Sequence, residues 1–440
     1  MQNNTIVSQA TPFGYSSVAV VRLSGDRSFS LAKKVSKTNN RVTHLQTTLL
    51  PVYGKAGKKI DRAIFTFFRG PRSYTGEDVV EISCHGNPMI VELLIENLVC
   101  LGARIAEPGE YTKRAYLNGK VSLSQAESVA LLISSRSETA IYQNNKNIEG
   151  GTSSVVTKIK EGLLHALSTL EYELDISEQE ETTEQSIDEV VKLLNNNYLL
   201  IKGLLDSFKA GTAYTQGFRV VIIGKPNVGK STLMNAITGL NRSITTSAPG
   251  TTRDTVTCDL TLSGYPITLV DTAGLRETTD KTEAEGIQRT KDEIARSDLV
   301  LSVYTEDAEA VDYIKDRPHF LILNKVDIQK PKNIKGSTVC VSALKGTGMD
   351  HLFFKLEESL SRLVSYSGDT FINTERQRVS ANKCSKSIKG SLVELSGNQT
   401  NIEIAAHHTR GAINHIDSFL GKTTTDDILE KVFSDFCVGK

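Results

Sequence analysis

Residues 224–231 read GKPNVGKS, a match to G-x-x-x-x-G-K-[ST] that follows the apolar run RVVIIG and precedes the helical TLMNAITG. In that context Gly224 and Gly229 let backbone N–H groups turn toward phosphate oxygens, Lys230 brings a point charge, and Ser231 offers a hydroxyl to Mg²⁺. DTAG at 271–274 closes a second apolar run, so Asp271 would lie near the metal and the Gly274 N–H near a terminal phosphate. NKVD at 324–327 follows a third. The Asp327 carboxylate can accept from N1–H and the exocyclic amine of guanine, a pattern adenine lacks, and a mismatch would leave that carboxylate unpaired at a cost of roughly 1–3 kcal/mol. SAL at 342–344 can bring a backbone amide to guanine O6. In this order the motifs predict GTP binding by Asn227, Val228, Gly229, Lys230, Ser231 and Thr232, by Asp271, Thr272, Ala273 and Gly274, by Asn324, Lys325 and Asp327, and by Ser342, Ala343 and Leu344.

The hydrolytic groups are less plain. Many small GTPases carry Gln after D-x-x-G to orient the attacking water, but here the position is Leu275. Arg253 and Arg276 are candidates for an arginine finger by proximity alone. TTSAPGTTRD (245–254) reads as a switch loop, adding Thr246, Ser247, Ala248, Pro249, Gly250, Thr251 and Thr252 to the nucleotide set, with Thr252 able to bind Mg²⁺. The side-chain oxygen of Asn227 can coordinate a monovalent cation. Glu277, Asp280, Glu283 and Glu285 all lie downstream of Asp271, and spacing does not choose among them.

These groups need elements to hold them. A chain of 440 residues has room for two or three domains. Residues 1–120 mix strand-like runs (SSVAVVRLSG, RAIFTFFRG, DVVEISCHG) with amphipathic patterns and predict a small α+β domain. Residues 121–216 turn helical, opening with Ser124 and Glu127 at capping-box spacing, interrupted by the acidic SEQEETTEQS, and ending at DSF before KAGTAYTQG. Residues 217–364 alternate short apolar strands with helices, the pattern of a largely parallel sheet covered on both faces. Residues 365–440 return to helix, so the α/β domain interrupts a helical domain, an insertion tolerated where domain termini lie close together. The fold class is multidomain, α/β plus all-α.

Lys+Arg and Asp+Glu are 51 each, so a nucleic-acid partner would have to meet a local basic patch. Cys84, Cys100, Cys258, Cys340, Cys384 and Cys437 form no C-x-x-C pair and no signal-peptide pattern opens the chain, which predicts a reducing cytoplasm without a zinc site. No apolar run approaches the ~18 residues of a membrane span. The final CVGK is not a prenylation box, because Lys440 is the wrong last residue and the preceding DDILEKVFSDF is acidic.

GKPNVGKS, GTTRD, DTAGLRET, NKVD and the terminal FCVGK together resemble the MnmE (TrmE) family of tRNA-modification GTPases. The resemblance extends to NNTIVSQATPFGYSSVAVVRLSG, SYTGEDVVEISCHGNP and EPGEYTKRAYLNGKVSLSQAE, and so covers essentially the whole chain. It implies a folate-binding and dimerising N-terminal domain, a helical domain and an inserted Ras-like P-loop GTPase domain. K⁺ would be held by Asn227, Thr246, the Ala248 carbonyl and Thr251, replacing an arginine finger, a group worth about 10³–10⁵ in rate. Mg²⁺ would be held by Ser231 and Thr252, and Glu283 would be the catalytic residue that orients water. Arg22, Glu81, Lys120 and Lys440 match the family's contacts to 5-formyl-tetrahydrofolate or a related one-carbon folate, and Cys437 is placed near the chemistry. The resemblance also implies a homodimer that joins an MnmG-type FAD-dependent flavoprotein in a heterotetramer or larger complex and modifies the wobble uridine of certain tRNAs. The chain departs from the family's usual pattern at Phe13, at Tyr15, at Ser247 and Pro249, and in ending C-V-G-K rather than C-I-G-K.

A second reading of the same motifs is a GTP-driven switch for ribosome assembly, and a third treats the helical segments as a dimerising scaffold. The assembly switch would explain the nucleotide motifs but leave residues 1–120 and the cysteine tail without work. The basic helical stretch ERQRVSANKCSKSIKG fits a tRNA-facing surface or a solvated helix face.

Overall fold

The computed structural model describes residues 4–39, 42–176, 184–240, 256–272, 283–305, 318–328, 338–364, 370–396, 400–423, 426–434, 436 and 439. The chain divides into two compact units, one of Met1–Ala130, Asn147–Tyr198 and Lys383–Lys440, the other of Leu131–Lys146 and Leu199–Asn382.

The chain begins with β1 (Ile6–Gln9), β2 (Ser16–Ser24), α1 (Ser28–Ser36), β3 (Thr47–Tyr53), β4 (Lys59–Phe68), β5 (Val79–Gly86), α2 (Pro88–Cys100), β6 (Arg104–Ile105) and α3 (Glu110–Leu117). The strands form one sheet, ordered β3-β4-β5-β2-β1-β6, antiparallel throughout except for β6 beside β1. Period-two alternation gives it one buried face: Ala63, Phe65 and Phe67 of β4 point inward while Arg62 and Ile64 are exposed. Leu31, Ala32 and Val35 of α1 and Val91, Leu94 and Leu98 of α2 join those residues in one core. The side chain of Asn87 accepts from the Met89 N–H and Pro88 fills the first turn, which fixes where α2 starts. The same alternation leaves Arg22 and Glu81 partly exposed, each between two buried neighbours on its strand.

Then follow α4 (Leu123–Ser134), α5 (Glu138–Ile148), α6 (Gly151–Ile176) and α7 (Glu184–Thr215). Two sequence expectations are corrected here. The capping box at the start of α4 is Ser122 with Gln125: the Ser122 hydroxyl accepts from the Gln125 N–H at 3.2 Å and the Gln125 side chain accepts from the Ser122 N–H at 2.8 Å. Ser124 and Glu127 each lie two residues too deep to form the cap; both are buried, and Ser124 Oγ donates to the Phe419 carbonyl. In the second correction, α7 does not end at DSF but runs through KAGTAYT. Gly211 sits within the helix at a close approach, where a Cβ would stand 2.4 Å from the Ile372 carbonyl oxygen. The glycine permits a close approach that its helix propensity alone argues against.

The inserted segment contributes β7 (Phe218–Ile223), α8 (Lys230–Leu240), β8 (Val256–Leu262), β9 (Tyr265–Asp271), α9 (Glu283–Arg296), β10 (Leu299–Tyr304), β11 (His319–Leu323), β12 (Val339–Cys340) and α10 (Met349–Leu363). Its sheet order is β12-β11-β10-β7-β9-β8, parallel except for β8 against β9. All six residues of β10 are buried, as expected of a strand covered on both faces. Strand order reverses at β7, so the crevice at its carboxyl end is where such a sheet receives a ligand. The remaining helices are α11 (Glu375–Ser396), α12 (Ile402–Leu420) and α13 (Asp426–Ser434). In the first unit α6 and α12 are joined by Lys160 Nζ and Asp417 Oδ1 at 2.5 Å. The Phe433 ring of α13 lies 6.4 Å from that of Tyr116 in α3, and a Cβ on Gly109 would meet the Phe433 carbonyl at 2.6 Å. The end of the chain is thereby seated beside the N-terminal sheet's last helix. Among the described residues no helix is long and apolar enough to cross a membrane.

Candidate functional site

The loop from β7 to α8 wraps a cavity of about 510 Å³ lined by Pro226, Asn227, Gly229, Lys230, Ser231, Thr232 and Lys325. Its path requires unusual backbone: Asn227 has φ 64° and Gly229 φ 90°. Lys230 folds back over the loop, donating to the Gly224 and Lys225 carbonyls at 2.9 Å each. Those are contacts a bound phosphate would compete for. Ser231 Oγ donates to Asp271 Oδ2 at 2.7 Å, which sets a hydroxyl and a carboxylate side by side, the oxygen-rich pairing that suits a hard divalent cation. Beyond Asp271, Thr272 Oγ1 donates to the Ile222 carbonyl and so anchors the end of β9 to β7.

Asn324 joins the phosphate loop to the loops after β11 and β12. Its buried carboxamide donates to the Val228 carbonyl at 2.9 Å and accepts from the Ala343 N–H at 3.1 Å. Gly229 must be glycine for the same reason, since a Cβ there would stand 2.5 Å from Asn324 Nδ2. Lys325, itself at φ 64°, donates Nζ to the Asn227 carbonyl at 2.7 Å. The Ser342 hydroxyl bonded to the Asp327 carboxylate holds its pKa below the ordinary 3.8, so it is ionised at neutral pH and able to accept from a guanine edge. Ser342 is buried while Leu344 is 77% exposed. Sequence motifs located Asn324 and Ser342 but carried no sign of these bridging bonds, which join residues far apart in the chain. Thr246, Ser247, Ala248, Pro249, Gly250, Thr251, Thr252, Ala273 and Gly274 lie outside the described residues. Glu283 is the first residue of α9.

A second constellation lies on the N-terminal sheet. Arg22 of β2 and Glu81 of β5 are directly paired across the strands, with Arg22 Nε and Nη2 at 2.9 and 2.7 Å from Glu81 Oε1. Arg22 Nη1 donates to the Gly439 carbonyl at 3.0 Å. Behind it, the Tyr111 hydroxyl donates to the Arg22 carbonyl at 2.7 Å, and burial pushes that phenol up to about 12, so it remains a donor. Tyr111 was not among the sequence candidates; its motif, GEYTKRAYL, looks like any amphipathic helix. Lys120, just past α3, has its stem beside Gly76. Cys437 and Lys440 lie outside the described residues, although Gly439 between them does not.

A switch-point cavity with a lysine-bearing phosphate loop, a Ser–Asp oxygen pair and an N-K-x-D base loop defines a P-loop GTPase. The chain also matches two family models, "GTP-binding protein TrmE N-terminus" over residues 5–120 and "MnmE helical domain" over residues 123–437. The tRNA modification GTPase MnmE of Aquifex aeolicus is 37% identical across 99% of this chain and 99% of its own length. That of Thermotoga maritima is 36% identical across 99% and 100%, and that of Moorella thermoacetica 33% across 100% of both. The solved G domain of the T. maritima FeoB iron transporter is similar over 33% of this chain and 98% of its own, at 25% identity and TM-score 0.24. The chain belongs to the MnmE family of tRNA modification GTPases.

Proposed function

We propose that this protein hydrolyses GTP in a K⁺-dependent manner. With an MnmG-type FAD-dependent flavoprotein, it would convert C5 of the wobble uridine of certain tRNAs to an aminomethyl or carboxymethylaminomethyl form. The one-carbon unit comes from 5-formyl-tetrahydrofolate or a related folate, and the working unit is a cytoplasmic homodimer within a heterotetramer or larger complex. The division of labour is folate binding by residues 1–120, GTP hydrolysis by 217–364, and support by the helical segments 121–216 and 365–440.

Oxygen donors at Ser231 and Asp271 fit Mg²⁺, for which Thr252 is the further ligand. Asn227, held by Lys325 and lining the cavity, fits K⁺ together with Thr246, the Ala248 carbonyl and Thr251. When bound, these cations supply the charge neutralisation that an arginine finger gives elsewhere. Lys230 orients the phosphates, Asp327 selects guanine, and Glu283 orients the attacking water. On the sheet, Glu81 pairs with the guanidine-like edge of the pterin, while Arg22, Lys120 and Lys440 suit its glutamate tail.

The observation that carries the folate reading is the bond from Arg22 to Gly439, which brings the C-terminal tail to the Arg22–Glu81 pair. Cys437, two residues before Gly439 in the chain, is the thiol that this reading assigns to the chemistry. A thiol with a pKa near 8.5 needs a neighbouring cation to become a nucleophile at neutral pH. The test is mass analysis of wobble nucleosides in cells lacking this protein, complemented with the natural chain or with Cys437→Ser. Modified uridine should vanish in the deletion and return only with the natural chain. Hydrolysis by the purified protein should meanwhile fall about 10³-fold or more when Na⁺ replaces K⁺. Unaltered nucleosides, or equal rates in the two salts, overturn the corresponding half of the reading.

A further inference from the structure

Charge is balanced over the whole chain but not over one surface of the first unit. From Lys383 to Val393, α11 carries Lys383, Lys386 and Lys389 and no carboxylate; from Ala405 to His415, α12 carries His407, His408, Arg410 and His415 and again none. These two segments are neighbours. Ser391 Oγ donates to the Ala405 carbonyl at 3.0 Å, and a Cβ on Gly390 would stand 3.0 Å from the His408 ring. The small residues at this crossing bring the two helices together, and the lysines of α11 remain on its solvent side.

All three lysines are exposed. Arg410 is neutralised by Glu171 of α6 at 2.7 Å. Lys389 Nζ lies 5.2 Å from the centre of the Tyr198 ring, which orients the ammonium without cancelling its charge. Lys383 and Lys386 make no ion pair among the described residues. Burial and then the nearby Lys383 hold His415 below the ordinary imidazole pKa, so that ring adds no charge near neutrality. The three lysines repel one another unless an anion offsets them. Lys383 to Lys389 cover about 9 Å along the helix at ~1.5 Å per residue, the length of two or three phosphates of one nucleic-acid strand at ~3.4 Å each.

We propose that this α11–α12 face docks the phosphate backbone of the tRNA, a contact that positions the substrate without reading its sequence. The proposal rests on the reading above that tRNA is the substrate. It is tested with the full-length protein by fluorescence anisotropy of labelled tRNA over a KCl series. The natural chain is compared with Lys383→Ala/Lys386→Ala/Lys389→Ala and with a control, Lys55→Ala/Lys58→Ala, at exposed lysines between β3 and β4. Alanine at exposed helix positions preserves the helix, and GTP hydrolysis should be unchanged in both variants. At about 0.9 in slope per lost contact, the triple variant should show a salt dependence shallower by about 2–3 and affinity at 0.1 M salt weaker by on the order of 10²-fold or more. The control should match the natural chain. If the natural chain binds tRNA and the triple variant binds it equally, the face is not the docking surface, and loss of flavoprotein binding alone in that variant would assign it to the protein partner instead. If the natural chain itself fails to bind tRNA, the substrate reading falls and takes this proposal with it.

Discussion

Gly229→Ala should damage nucleotide binding through Asn324, and the route can be separated from the damage. Gly229 has φ 90°, a conformation that costs an L-residue roughly 1–3 kcal/mol. The new Cβ would also stand 2.5 Å from Asn324 Nδ2, closer than real Cβ atoms come to any neighbour. Asn324 is buried and bonded on both sides, so it can yield only by giving up its bond to the Val228 carbonyl. Leaving that carbonyl unpaired costs about 1–3 kcal/mol more. The sum is about 2–6 kcal/mol, or at least ~30-fold in affinity for a fluorescent GTP analogue. Asn324→Ala alone orphans two buried groups, at about 1–3 kcal/mol each. In the double variant no side chain is left to clash with and the Val228 bond is already gone, so Gly229→Ala adds only its backbone strain. The two changes should therefore be sub-additive by about 1–3 kcal/mol in affinity and in thermal stability. Additivity within ~0.5 kcal/mol would refute the clash as the mechanism.

Ser342→Ala should raise the Asp327 pKa, because the lost hydroxyl is what chiefly holds it down. A depressed pKa means that guanine binding persists as pH falls until the folded value is passed, so the variant should lose GTP affinity at a higher pH than the natural chain. An unshifted acid limb in a pH series of nucleotide binding would show that Ser342 does not govern this carboxylate. Arg22→Lys keeps the charge but cannot meet Glu81 with two nitrogens and Gly439 with a third. Calorimetry with 5-formyl-tetrahydrofolate should show affinity at least ~10-fold weaker, one charge-assisted hydrogen bond's worth. Undiminished affinity would remove Arg22 from the site.

The inserted α/β segment was legible in sequence because each of its motifs sits at the end of an unbroken apolar run, and buried parallel strands leave little else to read. The N-terminal sheet was legible as α+β through alternation such as that of β4. Two local errors share a cause. The end of α7 and the Ser124/Glu127 pair were read by local rules, but Gly211, inside α7, faces a carbonyl 161 residues away and Ser124 is set by one 295 residues away. The spacing S-x-x-E is common to both a cap and a buried helix turn, and only the partners of Ser122 distinguish them. Arg22 and Glu81 show the same limit from the other side. Nothing in VVRLS or VVEIS marks a site until antiparallel register sets the two residues opposite one another.

Both candidate sites are held together by side chains that clip distant segments. Asn324 reaches Val228 across 96 residues, and Arg22 reaches Gly439 across 417. Neither segment in these pairs needs the other to form its own element: α8 and β11 belong to the sheet's core, and β2 is paired along its length before the tail arrives. A clip of this kind therefore governs whether two preformed parts meet. Its loss should separate them while most of the packing that stabilises each part survives. For the C-terminal tail the consequence is specific. Its place depends on Phe436, buried against the Phe433 ring at 5.5 Å, on the close approach of Gly439 to the Gln9 carbonyl, and on the Gly439 carbonyl that Arg22 binds. Arg22→Ala should therefore release the Gly439 carbonyl while β2 keeps its pairing with β5.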